Sequence, residues 1–397
     1  MKSSTTDINS APADGSCWLA DRARPFANAP LQTPPTQPMI VLSQGTPDLP
    51  TPRHAIEAVE EYLRSGRVYY TFHDGMPELR AAIAQKVERE NSLHYDPETE
   101  IIVTAGVQEA IYTTLIGVIN PGDELIIADP HYPVYDQIVS MAGGKVVTVP
   151  VDKEAGFLLL PDAIEAAITQ KTKAILVVTP DNPSGAIQPR PILEAIADIA
   201  RRHDLLVIAD ELYERFCFDG ATHVSLGSLP GMHERTITLN GFSKAYSMTG
   251  WRVGYLLAPE GMKPALTTIK HATSICAAAP SQIAALAILT GPQGPLEEMM
   301  TEWTARRTYL YDRLAAAQIP VIRTPGSYYV FVDISSTGLS SAEFAQRLMD
   351  EEGVRVGPGS GYGPGGEGHV RTSFMLPIAE LGEGLDRLDR FWSHLRP

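Results

Sequence analysis

The chain has 397 residues, 44% of them hydrophobic and 20% charged, with a formal net charge of −15. That length supports one large core and a smaller companion domain, and the acidity argues against a nucleic-acid or anionic-membrane surface while leaving room for a local basic pocket. Three cysteines, Cys17, Cys217 and Cys276, are too few and too scattered for a disulfide framework or a Cys-x-x-Cys metal site, so a reducing, cytoplasmic setting and no metal are expected.

The first residues lack the apolar stretch of a signal peptide, and no apolar run reaches membrane-spanning length. Residues 25–38, "PFANAPLQTPPTQP", are proline-rich and read as an extended arm or a disordered lead-in, so residues 1–40 are set apart. Further on, short apolar runs follow one another: "EIIVTAG", "ELIIADP", "KVVTVPV", "AILVVTP", "LLVIADE", "TITLNGF" and "VGYLLAP". Between several of them lie helical stretches such as "VQEAIYTTLIGVI" and "PILEAIADIARRHD". Strands apolar along their whole length, alternating with helices, predict an α/β fold with a mostly parallel sheet covered by helices on both faces. Ligands collect at the carboxyl ends of such strands, which points to "TAG" (104–106), "DP" (129–130), "TPDNPSG" (179–185) and "ADELY" (209–213).

After residue 291 the texture changes to a long helix, "LEEMMTEWTARRTYLYDRLAAA", a strand, "SYYVFVDI", and a glycine-dense run, "GVRVGPGSGYGPGGEGHVRTSF". Residues 41–55 with 291–397 are expected to form a smaller α/β domain, and 56–290 the large one. Gly361, Gly363 and Gly366 happen to match G-x-G-x-x-G, but a dinucleotide site needs a strand before the motif and a helix opening on its last glycine. Here a strand, "HVRTSF", follows, and a substrate-side loop is the better reading.

Single residues with chemistry each have a plain alternative. Lys244, in "NGFSKAYSMTGWRVGY", is a surface lysine by default, yet a buried amine becomes a nucleophile toward carbonyls. Asp210 and Glu211 end a strand and serve either as helix caps or as partners of a ligand's ring nitrogen. Asn182 sits in a turn-forming "DNPSG". Arg252 and Arg371 offer planar forks for phosphate or carboxylate. Tyr70 and Tyr132 are half-buried packing residues otherwise.

Taken in order, Tyr70, "TAGVQEA", "DPHYPVY", "DNPSG", "ADELY", "GFSK" with "GWR" eight residues after the lysine, and Arg371 resemble the class I and II aminotransferases among fold-type I pyridoxal 5'-phosphate enzymes. The resemblance runs from about residue 41 to the C-terminus. It implies an aminotransferase passing an amino group from an L-amino acid to a 2-oxo acid by a ping-pong route, with the cofactor held as an internal aldimine on Lys244. It further implies that Asp210 pairs with the pyridinium nitrogen and that Tyr213 and Asn182 bond the ring oxygen. Tyr132 would stack on the ring, while Val107, Gln108, Ser243 and Arg252 would take the phosphate. Arg371, with Gly45 and Asn182 beside it, would bind the substrate. Tyr70 would reach the phosphate of a neighbouring subunit, implying a homodimer.

The sequence also departs from that pattern. Gly241 stands where many such enzymes have a phosphate-binding serine, and Gln108 where some aspartate-specific ones have a lysine, which weakens a dicarboxylic substrate. Tyr69, Phe72, His73 and Tyr362 are candidates for a side-chain pocket suited to neutral or aromatic substrates. A lyase, oxidase or cyclase built on the same cofactor remains the alternative, since the placement of the side chains that touch cofactor and substrate decides the outcome. A DNA-binding regulator is disfavoured, because the residues before 41 are few and not basic.

Overall fold

The computed structural model describes residues 18–27 and 38–395. Most of the expected arm of residues 1–40, and Cys17, therefore lie outside the described residues. The body opens with a two-residue strand, β1 (Ile40–Val41). Eight strands then build the main sheet: β2 (Ile101–Thr104), β3 (Glu124–Asp129), β4 (Lys145–Asp152), β5 (Leu158–Leu159), β6 (Thr172–Val178), β7 (Leu206–Asp210), β8 (Thr236–Gly241) and β9 (Gly254–Leu257). Their spatial order is β2-β9-β8-β7-β6-β3-β4-β5.

All seven apolar runs are strands of this sheet. Pairings β3·β4, β3·β6, β6·β7 and β7·β8 are parallel, whereas β9 runs antiparallel to both β2 and β8, and the short β5 antiparallel to β4. The central strands are buried on both faces, which is why they read as continuous apolar runs rather than alternating ones. Helices supply the cover. Arg190–Arg202, for example, buries Leu193, Ile196, Ala197, Ile199 and Ala200, a helical stripe, and leaves its charged face to solvent.

The later chain forms β10 (Tyr329–Asp333), β11 (Val354–Arg355), β12 (Gly357–Pro358) and β13 (His369–Ser373). Here β13 lies between β10 and β12, both antiparallel to it. β1 pairs in parallel with β11, so the start of the body closes on its end. The 23-residue helix Gly294–Ala316 carries Trp303, fully buried against Phe216. The glycine run of 359–366 forms two short 3-10 turns and leads into strand β13, not into a helix, as a loop rather than a nucleotide motif requires. No helix among the described residues is long and apolar enough to cross a membrane.

This topology brings the carboxyl ends of β2, β3, β6, β7 and β8 to one edge of the sheet, where Thr104, Asp129, Val178, Asp210 and Gly241 end their strands. The reversed β9 begins there, with Gly254 opposite Gly241.

Candidate active site

A cavity of about 510 Å³ opens at that edge, within the size range of small-molecule sites. Gly45, Val107, Gln108, Tyr132, Asn182, Asp210, Tyr213, Ser243, Lys244, Arg252 and Arg371 all line it. Tyr70 does not: it stands 79% exposed on the surface of its own chain, beside Tyr69 and Phe72. Of the candidates for a side-chain pocket, Tyr362 alone lies against the site, with its ring 4.9 Å from the Arg371 guanidinium carbon. Tyr69, Phe72 and His73 are exposed.

Lys244 follows β8 in a loop that needs unusual backbone. Ser247 and Arg252 both have positive φ (51° and 52°), a conformation costly for residues with a Cβ. The loop is held by its own bonds and by the early chain. Met248 N–H donates to Ser243 O, Thr51 Oγ1 donates to Ser247 O (2.8 Å), and Trp251 Nε1 donates to Thr51 Oγ1 (3.0 Å). Lys244 Nζ donates to Gly45 O (2.8 Å), which also accepts from Tyr328 Oη (2.8 Å). Burial lowers the affinity of Lys244 for its proton, and Arg371 and Arg252 add to that, while Tyr329 and Asp210 oppose it.

Asp210 ends β7. Burial pushes its carboxyl up to about 6, against the bonds from Tyr135 Oη (2.8 Å) and Leu212 N–H (3.2 Å). Glu211, the next residue, is turned elsewhere: its carboxylate accepts from Ser225 Oγ and Leu226 N–H and pairs with His223. The alternation of a strand thus separates the two acids, and the cavity takes Asp210.

At another wall, Gly106 (φ +79°) precedes the helix Val107–Val118. A Cβ on Gly106 would fall 2.5 Å from Arg252 Nη2, so only glycine lets the guanidinium close on the helix N-terminus. Helix amides and an arginine together make an anion cradle. Gly241 has a packing reason of its own: a Cβ there would meet Val107 Cγ2 at 2.8 Å and Gly254 Cα at 2.9 Å, so no serine fits.

Arg371 lies at the centre of the three-stranded sheet, opposite Phe331 on one side and Gly357 on the other. Its Nη1 donates to Asn182 Oδ1 (2.7 Å) and its Nη2 donates to Ser43 O at a long 3.3 Å. Nε is buried without a partner. The guanidinium nonetheless lines the cavity, and its planar fork matches a carboxylate. Tyr329 packs its ring 3.8 Å from the guanidinium carbon. Burial would raise the Tyr329 phenol, but Arg371 and then Lys244 outweigh it and hold it below its ordinary value.

Tyr135, Tyr328 and Tyr329 were not singled out by sequence reasoning. Tyr135 lies three residues beyond Tyr132, in the helix Val134–Met141; the i, i+3 spacing was the available signal. Tyr328 and Tyr329 look like ordinary core residues of an apolar strand.

The residues fit pyridoxal 5'-phosphate on these observations: a glycine-lined anion cradle, a buried carboxyl on Asp210, and a half-buried amine at Lys244 with its proton affinity lowered. The family model for aminotransferases of class I and II matches residues 37–388. The chain is 39% identical to aromatic-amino-acid aminotransferase 2 of Thermococcus litoralis, covering 89% of this chain and 91% of that protein. It is equally 39% identical to an aspartate aminotransferase of Pyrococcus abyssi, with the same coverage. The solved aromatic aminotransferase of Pyrococcus horikoshii OT3 superposes with a TM-score of 0.87 at 38% identity, covering 90% of this chain and 96% of that one.

Proposed function

The chain belongs to the class I and II aminotransferases, which are pyridoxal 5'-phosphate enzymes, and on that premise we propose how its residues carry amino transfer between an amino acid and a 2-oxo acid. Lys244 is the amine that would take the cofactor's aldehyde, Asp210 the acid that would face its ring nitrogen, and Tyr213 and Asn182 the partners of its ring oxygen. Val107, Gln108, Ser243 and Arg252 would take its phosphate, and Tyr132 would supply the aromatic wall. When bound, the cofactor supplies an electron sink for the bond being broken at the substrate's Cα.

The chain's own part is binding and proton movement. Arg371 holds the substrate α-carboxylate with its guanidinium fork in the cavity. Asn182, bonded to Nη1, fixes the guanidinium plane. Once displaced by the substrate amine, Lys244 Nζ would carry the Cα proton to the cofactor's reacting carbon in the first half of the cycle and make the reverse transfer in the second, for which a lowered proton affinity is the right setting. Gly45 O, already bonded to that amine, gives it a fixed direction. The amino acid and the 2-oxo acid use the same cavity in turn, a ping-pong order.

A homodimer is part of this reading. Val68, Tyr69, Tyr70 and Phe72 are 44%, 73%, 79% and 65% exposed, a contiguous apolar stretch of the kind that marks an interface. Tyr70 would reach the phosphate site of the partner from there. Among the described cavity residues the cations are Lys244, Arg252 and Arg371. Each has a task, which favours a substrate with a neutral or aromatic side chain.

The observation that carries the proposal is the convergence of Lys244, Asp210 and the Arg371 guanidinium on one cavity. The test is visible absorbance of the cofactor-loaded protein with a panel of amino acids and no acceptor. Conversion to the amine form of the cofactor with particular donors supports transamination. Release of ammonia and an oxo acid, with the starting spectrum restored, refutes it in favour of a lyase or oxidase.

A further inference from the structure

Residues 357–368, "GPGSGYGPGGEG", contain seven glycines. Glycine loses more conformational freedom on ordering than any other residue, so a run of this composition keeps one shape only where it is tied down. Both feet are tied to the helix Ser341–Glu352. Ser341 N–H and Oγ donate to the Glu367 carboxylate (2.7 and 2.9 Å), and Ser360 N–H donates to Ser341 Oγ (3.1 Å).

The tip is tied to the main sheet, at the carboxyl end of β3. Gly365 N–H donates to Asp129 Oδ1 (2.8 Å), and His131 N–H donates to Tyr362 O (2.8 Å). The approach is too close for side chains. A Cβ on Gly363 would lie 2.4 Å from Asp129 Oδ1, and one on Gly365 would lie 2.7 Å from Asp129 O. Gly363 also has φ +115°. The run is therefore a strap across the two sheets, and Tyr362, at its tip, rests against Arg371.

We propose that Asp129 is a positioning residue for substrate binding: its carboxylate latches the strap of residues 359–366 and thereby holds Tyr362 against Arg371. This rests on the reading of Arg371 as the carboxylate anchor. Asp129 touches neither substrate nor cofactor in this scheme. It acts through Gly365 and Tyr362, by limiting how far the guanidinium and the ring beside it can move.

The experiment compares D129A, D129N, G365A and R371A as full-length, cofactor-loaded proteins. Two quantities are read: the KM and kcat for an amino donor, and amide hydrogen exchange of the peptide covering 359–366. D129A is expected to raise KM about tenfold, the scale of one lost hydrogen bond to a charged group, with a smaller change in kcat and faster exchange in the strap. D129N keeps an oxygen that accepts from Gly365 N–H and recovers most of both effects. G365A, which leaves Asp129 intact but forces the strap off it, behaves like D129A and serves should D129A fold poorly. Wild-type KM and exchange in D129A and G365A would overturn the proposal, as would a D129N no better than D129A. Should R371A raise KM while D129A does not, the latch alone falls. Should R371A leave KM unchanged, the anchor reading falls and takes the latch's role in binding with it, even if exchange in the strap responds.

Discussion

Asp210 should be a site where function costs stability. In the cofactor-free protein burial raises its carboxyl from 3.8 to about 6. A carboxyl raised above its unfolded value keeps its proton in the folded chain at pH values where the unfolded chain has lost it. Its contribution to stability is therefore favourable at low pH, declines as pH rises from about 4, and is fully lost above about pH 6. At about 1.4 kcal/mol for each pKa unit, the penalty at neutral pH is about 3 kcal/mol. D210N removes the charge. Its amide oxygen still accepts from Tyr135, but its nitrogen would face Leu212 N–H, returning about 1 kcal/mol. The net gain is about 2 kcal/mol at neutral pH and near zero or slightly negative at about pH 4. For a chain of this length that is a rise of roughly 2–3 °C in Tm. Denaturation of cofactor-free wild type and D210N from about pH 4.5 to about pH 8 reads the difference directly. The same variant should lose roughly 10²–10³ in kcat, as for a removed electrostatic stabiliser. A stability difference that does not grow with pH would refute the reasoning, because it would mean that Asp210 is already ionised without strain.

Further expectations can be checked separately. Y135F removes a bond that now opposes the effect of burial on Asp210, so the acid limb of the pH–rate profile should move to higher pH, with roughly a tenfold loss on that limb. K86M leaves Glu214 buried without the lysine that faces it. Burial would raise that carboxyl, but Lys86 and His223 hold it down at about 2. Urea unfolding should show a loss of about 3–5 kcal/mol, with activity per folded molecule unchanged. Mixing inactive K244A with a weakly active Y70A should regain activity on subunit exchange, since a hybrid dimer restores one site with both residues. No recovery on mixing would argue against a shared site.

Much of the frame was legible because strands buried on both faces write themselves as unbroken apolar runs, and those runs became the main sheet. Lys244, Arg252 and Asn182 stood out through spacing and turn chemistry, and the topology gathers them at one edge. What stayed hidden was set by contacts far apart in sequence. Nothing near Asp210 announces Tyr135, 75 residues earlier, and a tyrosine in a buried helix reads as core. Tyr328 meets Gly45 across 283 residues. The glycine run was recognisable as a loop, but its anchor at Asp129 was not, since "ADP" at the end of a strand carries no mark of what it will meet. The resemblance singled out Asp210, but the residues alone left Glu211 open beside it, since one residue of register decides which side chain faces the cavity.

The electrostatics of the cavity give these contacts a common purpose. Lys244, Arg252 and Arg371 share it with one acid, Asp210, and the two arginines help keep the lysine's proton affinity low, after burial. Such like-charge crowding is unfavourable and is eased by anions. A phosphate at Arg252 and a carboxylate at Arg371 would each cancel one of those repulsions. A carboxylate on Arg371 should therefore offset one of the two arginine repulsions on Lys244, while burial, the larger cause, still keeps its proton affinity low when a base is needed at Cα. The latch at Asp129 belongs to the same logic. An arginine held at fixed distance from the lysine would couple carboxylate binding to the amine's proton affinity, whereas one free to swing away would bind the carboxylate with little effect on it. Loosening the strap should then weaken this coupling as well as substrate binding.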